Sequence, residues 1–272
     1  MGAELSTGYV TECSRLHASE FAKNDDIVIH RSPSKEDALS SGPNSNVIVF
    51  DWDDTLLCST ALNHQQWSVA QLRELERRIR AILGTAMNLA ETFIITNGNA
   101  TWVQDSASRF MPGLLPTLRQ VHVISARAMY ENTYPGDPYM WKKATFNNVL
   151  HKERPVVNGK TGMNLIALGD QMPEIEAAQM VVSNIGGTSV VKTVKFKEAP
   201  TVTELLGQLE KANLELSRLV HEPESLNCFI TRQDGVSTNQ LEEGDSWRLV
   251  DKNRTSWLFS NLSLKELWPL FS

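Results

Sequence analysis

Five short apolar runs, separated by amphipathic stretches, constrain the fold more than any other feature of this chain. They read VIVF (47–50), TFIIT (92–96), VHVIS (121–125), NLIALGD (164–170) and SVVKTVKF (189–196). Most are apolar without alternation, which suits strands covered on both faces. Between the first two, WSVAQLRELERRIRAILGTAMNLA sets Leu72, Leu75, Ile79, Ile82 and Leu83 on one helical face. Residues 101–110, 139–151, 173–181 and 203–219 read as further helices. Strand and helix in alternation predict an α/β fold: a doubly wound, Rossmann-like parallel sheet of about five strands.

The flanks differ from this core. Residues 1–45 hold HRSPSKEDALSSGPNSN, rich in Ser, Pro, Asn and Gly, and read as a flexible N-terminal segment. The core is expected over 46–221. Residues 222–272, with CFITRQDG, SWRLVDK and TSWLFS, read as short strands around turns. They predict a small β-rich C-terminal appendage in which Trp247 and Trp257 serve packing.

With 272 residues, 41% of them hydrophobic, the chain can fill one sizeable core with a small addition. A net charge of −6 argues against a nucleic-acid binder driven by phosphate attraction. Three widely separated cysteines without a CxxC pair fit a reducing, cytoplasmic compartment and argue against a zinc site. No stretch approaches the roughly 20 apolar residues of a membrane span. The start, MGAELST, matches the pattern for myristoylation at Gly2. Glu4 and Glu12 stand where a second, basic membrane signal would be needed.

Chemistry concentrates at the strand ends. The first run continues as Asp51-Trp52-Asp53-Asp54-Thr55. In a doubly wound sheet, ligands bind beyond the carboxyl ends of the strands. Alternation puts Asp51 and Asp53 on one side, with Trp52 and Asp54 on the other. Two carboxylates on one side need a counter-charge, and Mg²⁺ suits oxygen donors with retained water. One ionised carboxylate is then able to attack an electrophile. At the second strand end, the Thr96 hydroxyl and the Asn97 and Gly98 amides are donors suited to phosphate oxygens. At a later end stands Asp170, with Gly169 read as allowing a tight turn and Glu174 near the start of the next helix. Lys142 and Lys143 supply the basic charge, and Lys142 lies nearer its helix start.

These residues resemble the haloacid dehalogenase-like superfamily, phosphatase type. Asp51 to Thr55 match its DxDx[TV] motif and Thr96 its hydroxyl motif. Lys142 or Lys143 matches the lysine, and Gly169-Asp170 with Glu174 the acidic fourth motif. The likeness covers residues 47–196. It implies that Asp51 takes the phosphoryl group, and that Asp53 protonates the leaving oxygen and then activates water. Asp51, the Asp53 carbonyl and Asp170 would hold Mg²⁺. The second aspartate points to phosphate rather than halide. Glu174 departs from a pattern that often has aspartate there.

Neither gap between the motifs has room for a large cap domain, as in the capless protein phosphatases of that superfamily. The expected activity is therefore hydrolysis of a phosphomonoester, on a phosphoprotein or another bulky substrate. The rivals are a phosphatase or phosphotransferase of small metabolites, and a non-catalytic binding or scaffold protein on the same fold. The remaining conspicuous residues have plainer readings. Trp52 packs under the sheet, Cys58 acts as a small buried hydrophobe, and Asp54 holds the turn. His64, His122 and His151 are structural or surface residues, and YENTYPGDPYMW is a turn-rich loop.

Overall fold

A computed structural model describes residues 44–152, 162–232 and 247–252. Seven strands form one sheet in the order β3-β2-β1-β4-β5-β6-β7. They are β1 (Asn44–Phe50), β2 (Glu91–Thr96), β3 (His122–Ser125), β4 (Gly162–Gly169), β5 (Val190–Lys195), β6 (Leu226–Arg232) and β7 (Trp247–Asp251). The first six run parallel, and β7 returns antiparallel on β6. The fold is thus α/β and doubly wound, with seven strands where about five were expected. The difference arises because β6 and β7 continue the sheet at the β5 edge instead of pairing only with each other.

Among the described residues eight α-helices accompany the sheet: α1 (Ser59–Asn63), α2 (Val69–Leu89), α3 (Trp102–Phe110), α4 (Leu115–Leu118), α5 (Ala126–Tyr130), α6 (Pro138–Asn147), α7 (Met172–Ile185) and α8 (Val202–His221). The apolar stripe of α2 is buried as its spacing predicts: Leu72, Leu75, Ile79, Ile82 and Leu83 all enter the core. Ser68 and Thr201 begin α2 and α8 with reciprocal capping boxes to Gln71 and Glu204. Residues 139–151, read as one helix, divide into α6 and a π-helical turn, Asn148–Lys152.

Strand alternation sorts the core into two layers. Ile48, Phe50, Ile94 and Ile166 pack with α2, α3 and α8. Val47, Val49, Ile95 and Leu165 pack on the opposite face with α6 and α7. Both faces are covered, which accounts for strands apolar throughout. Trp247 is buried over Gly207 of α8, where a Cβ would collide with its indole. That tryptophan is a packing element, as the sequence suggests. Trp257, the TSWLFS segment and Gly2 lie outside the described residues. Among those described, no helix is long and apolar enough to cross a membrane.

Candidate active site

Strand order reverses around β1, which has β2 on one side and β4 on the other. Such a switch point opens a crevice at the carboxyl ends of the strands. Asp51 stands there, its backbone N–H donating to the Leu168 carbonyl at 2.9 Å and so extending the β1–β4 pairing by one step. Its side chain follows Val47 and Val49 toward the α6–α7 layer.

Lys142 meets it from α6. Its Nζ lies 2.6 Å from Asp51 Oδ1, 2.9 Å from Glu174 Oε1 and 2.6 Å from the Ile95 carbonyl. The whole side chain is buried. Of the two lysines left open by the sequence, Lys142 is the one at Asp51. Lys143 reaches Glu176 at 3.9 Å and lies over the Tyr139 ring. Asp137 caps α6 and Pro138 opens it, so the helix begins one turn before Lys142.

Alternation holds through Trp52 and then gives way. Trp52 is buried in the α3 layer, and its indole N–H donates to Ser106 Oγ at 3.0 Å. Beyond it the chain turns, with both Leu56 and Leu57 N–H groups on the Trp52 carbonyl. Asp54 takes a left-handed φ of 51°. Its carboxylate accepts from the Thr60 N–H at 2.9 Å and the Thr60 hydroxyl at 2.5 Å, so Asp54 holds the turn. Asp53, in the same turn, makes its hydrogen bonds elsewhere. Asp53 accepts from the Thr96 hydroxyl at 3.4 Å and from the Trp102 indole N–H at 3.0 and 3.1 Å. The two aspartates therefore have separate partners, where strand alternation alone sets them side by side.

At the second strand end the Gly98 N–H donates to Thr96 Oγ1 at 2.9 Å. Asn97 Nδ2 donates to the Pro138 carbonyl at 3.2 Å, tying β2 to the start of α6. Gly98 is required because the Trp102 ring lies where its Cβ would be. Gly169, read as a turn glycine, is the last residue of β4. A Cβ there would come 2.9 Å from Cβ and Cγ of Glu174, so the glycine is needed for close approach. Thr55 is buried and donates to Asp170 Oδ1 at 3.4 Å.

Negative charge is in excess. Burial, above all, pushes Asp51 up to about 7, and the neighbouring Lys142 works against that rise. Asp170 is pushed up to about 8 by burial and then by the charges of Asp51, Glu174 and Asp54. Burial raises Asp53 as well, opposed by the Trp102 N–H. Burial works against the charge on Lys142, but Asp51 and Glu174 outweigh it and raise its pKa. Glu174 Oε2 is buried without a hydrogen-bond partner. Cys58, buried beside the turn, is pushed up to about 12 by desolvation and behaves as an inert apolar group.

The acids are hard oxygen ligands, and the orphan Glu174 oxygen suits a metal-bound water. No group of three or more His, Cys, Asp or Glu side chains among the described residues is disposed as a metal site. A cation would be held by the Asp51 and Asp170 carboxylates, with the Asp53 carbonyl and water completing its shell.

Two participants escape a reading of the sequence. Trp102 touches Asp53 from the first turn of α3. Lys195, at the end of β5, donates to the Asp170 carbonyl and to Glu198 at 2.9 Å. Trp102 is the first residue of α3 and Lys195 the last of β5, but neither contact has a local signature.

No family model matches the chain, and no curated protein or solved structure matches it either.

Proposed function

We propose that the protein is a Mg²⁺-dependent phosphomonoester hydrolase of the haloacid dehalogenase-like type, working through an aspartyl-phosphate on Asp51. The observation that carries this reading is the paired placement of Asp51 and Asp53 at the switch point, Asp51 on Lys142 and Asp53 on Thr96 and Trp102. Two carboxylates in distinct environments suit two distinct roles.

In the first step Asp51 attacks phosphorus, and the bond to the leaving oxygen breaks as Asp53 delivers a proton to it. In the second, water attacks the phosphorus of the acyl phosphate while Asp53 takes its proton, and Asp51 is released. Lys142 holds Asp51 in place and offsets charge on the incoming phosphoryl group. Asp170 and Glu174 supply the acidic surroundings for the cation, and Thr55 orients Asp170. Mg²⁺, when bound, offsets charge on the phosphoryl oxygens and keeps Asp51 ionised.

A bulky substrate, such as a phosphoprotein side chain, is favoured by the lack of an inserted domain between the motifs. Residues 56–95 hold only α1, α2 and β2, and residues 98–141 hold α3, a 3-10 turn, α4, β3, α5 and the start of α6. The free, buried thiol of Cys58 supports a reducing, cytoplasmic setting.

The test is a phosphatase assay of the purified protein with and without Mg²⁺, on an aryl phosphate, phosphopeptides and sugar phosphates. Metal-dependent release of phosphate, fastest from phosphopeptides, is expected. Preference for sugar phosphates would move the substrate to small metabolites. Failure on every substrate would favour a binding protein on this fold.

A further inference from the structure

Trp102 opens α3 and stands half-buried at the crevice. Its indole N–H is directed at a side-chain carboxylate, with both Asp53 oxygens within 3.1 Å. The ring is seated over Gly98, which has no Cβ to block it. One turn further along α3, Ser106 Oγ accepts from the Trp52 indole at 3.0 Å and donates to the Trp102 carbonyl at 2.6 Å. The aspartate loop and α3 are therefore clasped twice, in opposite directions. Trp52 of the loop donates to the helix, and Trp102 of the helix donates to the loop. Thr96 completes the arrangement by donating to Asp53 Oδ2 while its own oxygen accepts from Gly98.

A tryptophan serving only to fill space would be buried, as Trp52 is, with no need of a carboxylate partner. Trp102 is partly open, and its N–H and the Thr96 hydroxyl together limit how the Asp53 carboxylate can turn. We propose that Trp102 is a positioning residue, holding Asp53 in the orientation from which it delivers a proton to the leaving oxygen. This inference rests on the hydrolase reading above.

The leaving group supplies the test. An alkoxide needs the proton from Asp53 as its bond to phosphorus breaks, whereas 4-nitrophenolate leaves readily without it. General acid catalysis is worth roughly 10²–10⁴-fold where it is needed. Trp102→Phe keeps a ring over Gly98 and removes the N–H. Its loss in kcat on an alkyl phosphate should exceed its loss on 4-nitrophenyl phosphate by at least about tenfold, with little change in KM. Asp53→Asn should show the same bias more strongly.

A readout independent of turnover accompanies this. The ¹H–¹⁵N indole resonance of Trp102, assigned by its loss in Trp102→Phe, should shift in Asp53→Asn, while that of Trp52 stays in place. A Trp102 resonance indifferent to Asp53→Asn overturns the contact whatever the activity. A shifted resonance with equal losses on the two substrates overturns the positioning role and leaves the hydrolase reading standing. Wild-type protein inert on both substrates removes the hydrolase reading, and the role with it.

Discussion

Two lysines among the described residues are fully buried, and they are buried in opposite ways. Lys142, at the carboxyl ends of the strands, has two carboxylates and a carbonyl around its ammonium. Lys192, in β5, has Asn164 Oδ1 at 2.5 Å. The Asn164 amide in turn donates to Asn46 Oδ1 at 2.9 Å and to the Val220 carbonyl at 2.7 Å, joining β1, β4, β5 and the end of α8. Burial presses both amines toward neutrality. Acids outweigh burial at Lys142, whose pKa is raised. At Lys192 burial wins, lowering it to about 8, with the charge of Glu222 partly opposing. The first environment keeps a fixed charge beside the proposed nucleophile. The second is a polar joint between strands, in which an amine of lowered pKa completes a hydrogen-bond chain. A buried lysine alone therefore does not mark a site; the acids around it do.

Asp51→Asn strikes that difference hardest. It removes the proposed nucleophile while leaving an isosteric oxygen near Lys142. Turnover should fall by at least about 10⁴-fold, as loss of a nucleophile costs in other enzymes. The circular dichroism spectrum should be retained. A variant that still hydrolyses phosphomonoesters at a tenth of the wild-type rate would rule out attack by Asp51.

The lysines can also be compared directly by stability. Lys142→Met leaves Asp51 and Glu174 buried without their cation and should cost about 3–5 kcal/mol. Lys192→Met leaves only an amide oxygen short of a donor and should cost about 1–3 kcal/mol. Urea unfolding at pH 7 measures both. Equal losses would mean that the two environments are energetically alike and that the acids add nothing.

Much of this was legible before the structure. The five apolar runs are strands, and the aspartates fall at the mouth because a buried parallel strand has nowhere else to put them. Lys142 is favoured over Lys143 in the sequence only for lying nearer its helix start, since adjacent helical residues differ in which face they present, and that is decided by packing. Trp102 was illegible for a related reason: its partner is 49 positions away, and nothing local distinguishes an indole aimed at a carboxylate from one in a core. Gly169 was misread because a tight turn and a close approach ask for the same residue. Lys192 sits in SVVKTVKF, where its charge suggests solvent; only the amide of Asn164 across the sheet makes its burial tolerable.

The acid cluster should make the metal-free protein less stable as pH rises. Asp170 is raised to about 8 and Asp51 to about 7, against a value of 3.8 for an ordinary aspartate. Between about pH 4 and 8 the folded state thus binds more protons than the unfolded one, so unfolding free energy falls with pH. The slope is at most about 1.4 kcal/mol per pH unit for each group. On the proposed reading Mg²⁺ would displace those protons, so its stabilising effect should be larger at pH 8 than at pH 6. Thermal unfolding with and without the metal at both values checks this. Stability that climbs from pH 6 to 8 without metal would mean the carboxylates are already compensated.

Lys192 predicts the smallest effect, and one of opposite sign. Its folded pKa of about 8 lies below the ordinary 10.5. Below pH 8 both states carry the proton, and the folded state bears the whole cost of a buried ammonium. From pH 8 to 10.5 the unfolded state holds more protons, so the contribution of Lys192 to stability rises with pH. Taking the difference between wild type and Lys192→Met cancels every other titrating group to first order. That difference should shift in favour of wild type by about 1 kcal/mol between pH 7 and pH 9, within the limit of about 1.4 kcal/mol per pH unit. Urea midpoints at the two values, with m unchanged, give it directly. A difference that stays flat would mean that Lys192 is held as a cation throughout, as Lys142 is, and would leave the acids at the strand mouth without a distinguishing effect on the amine they surround.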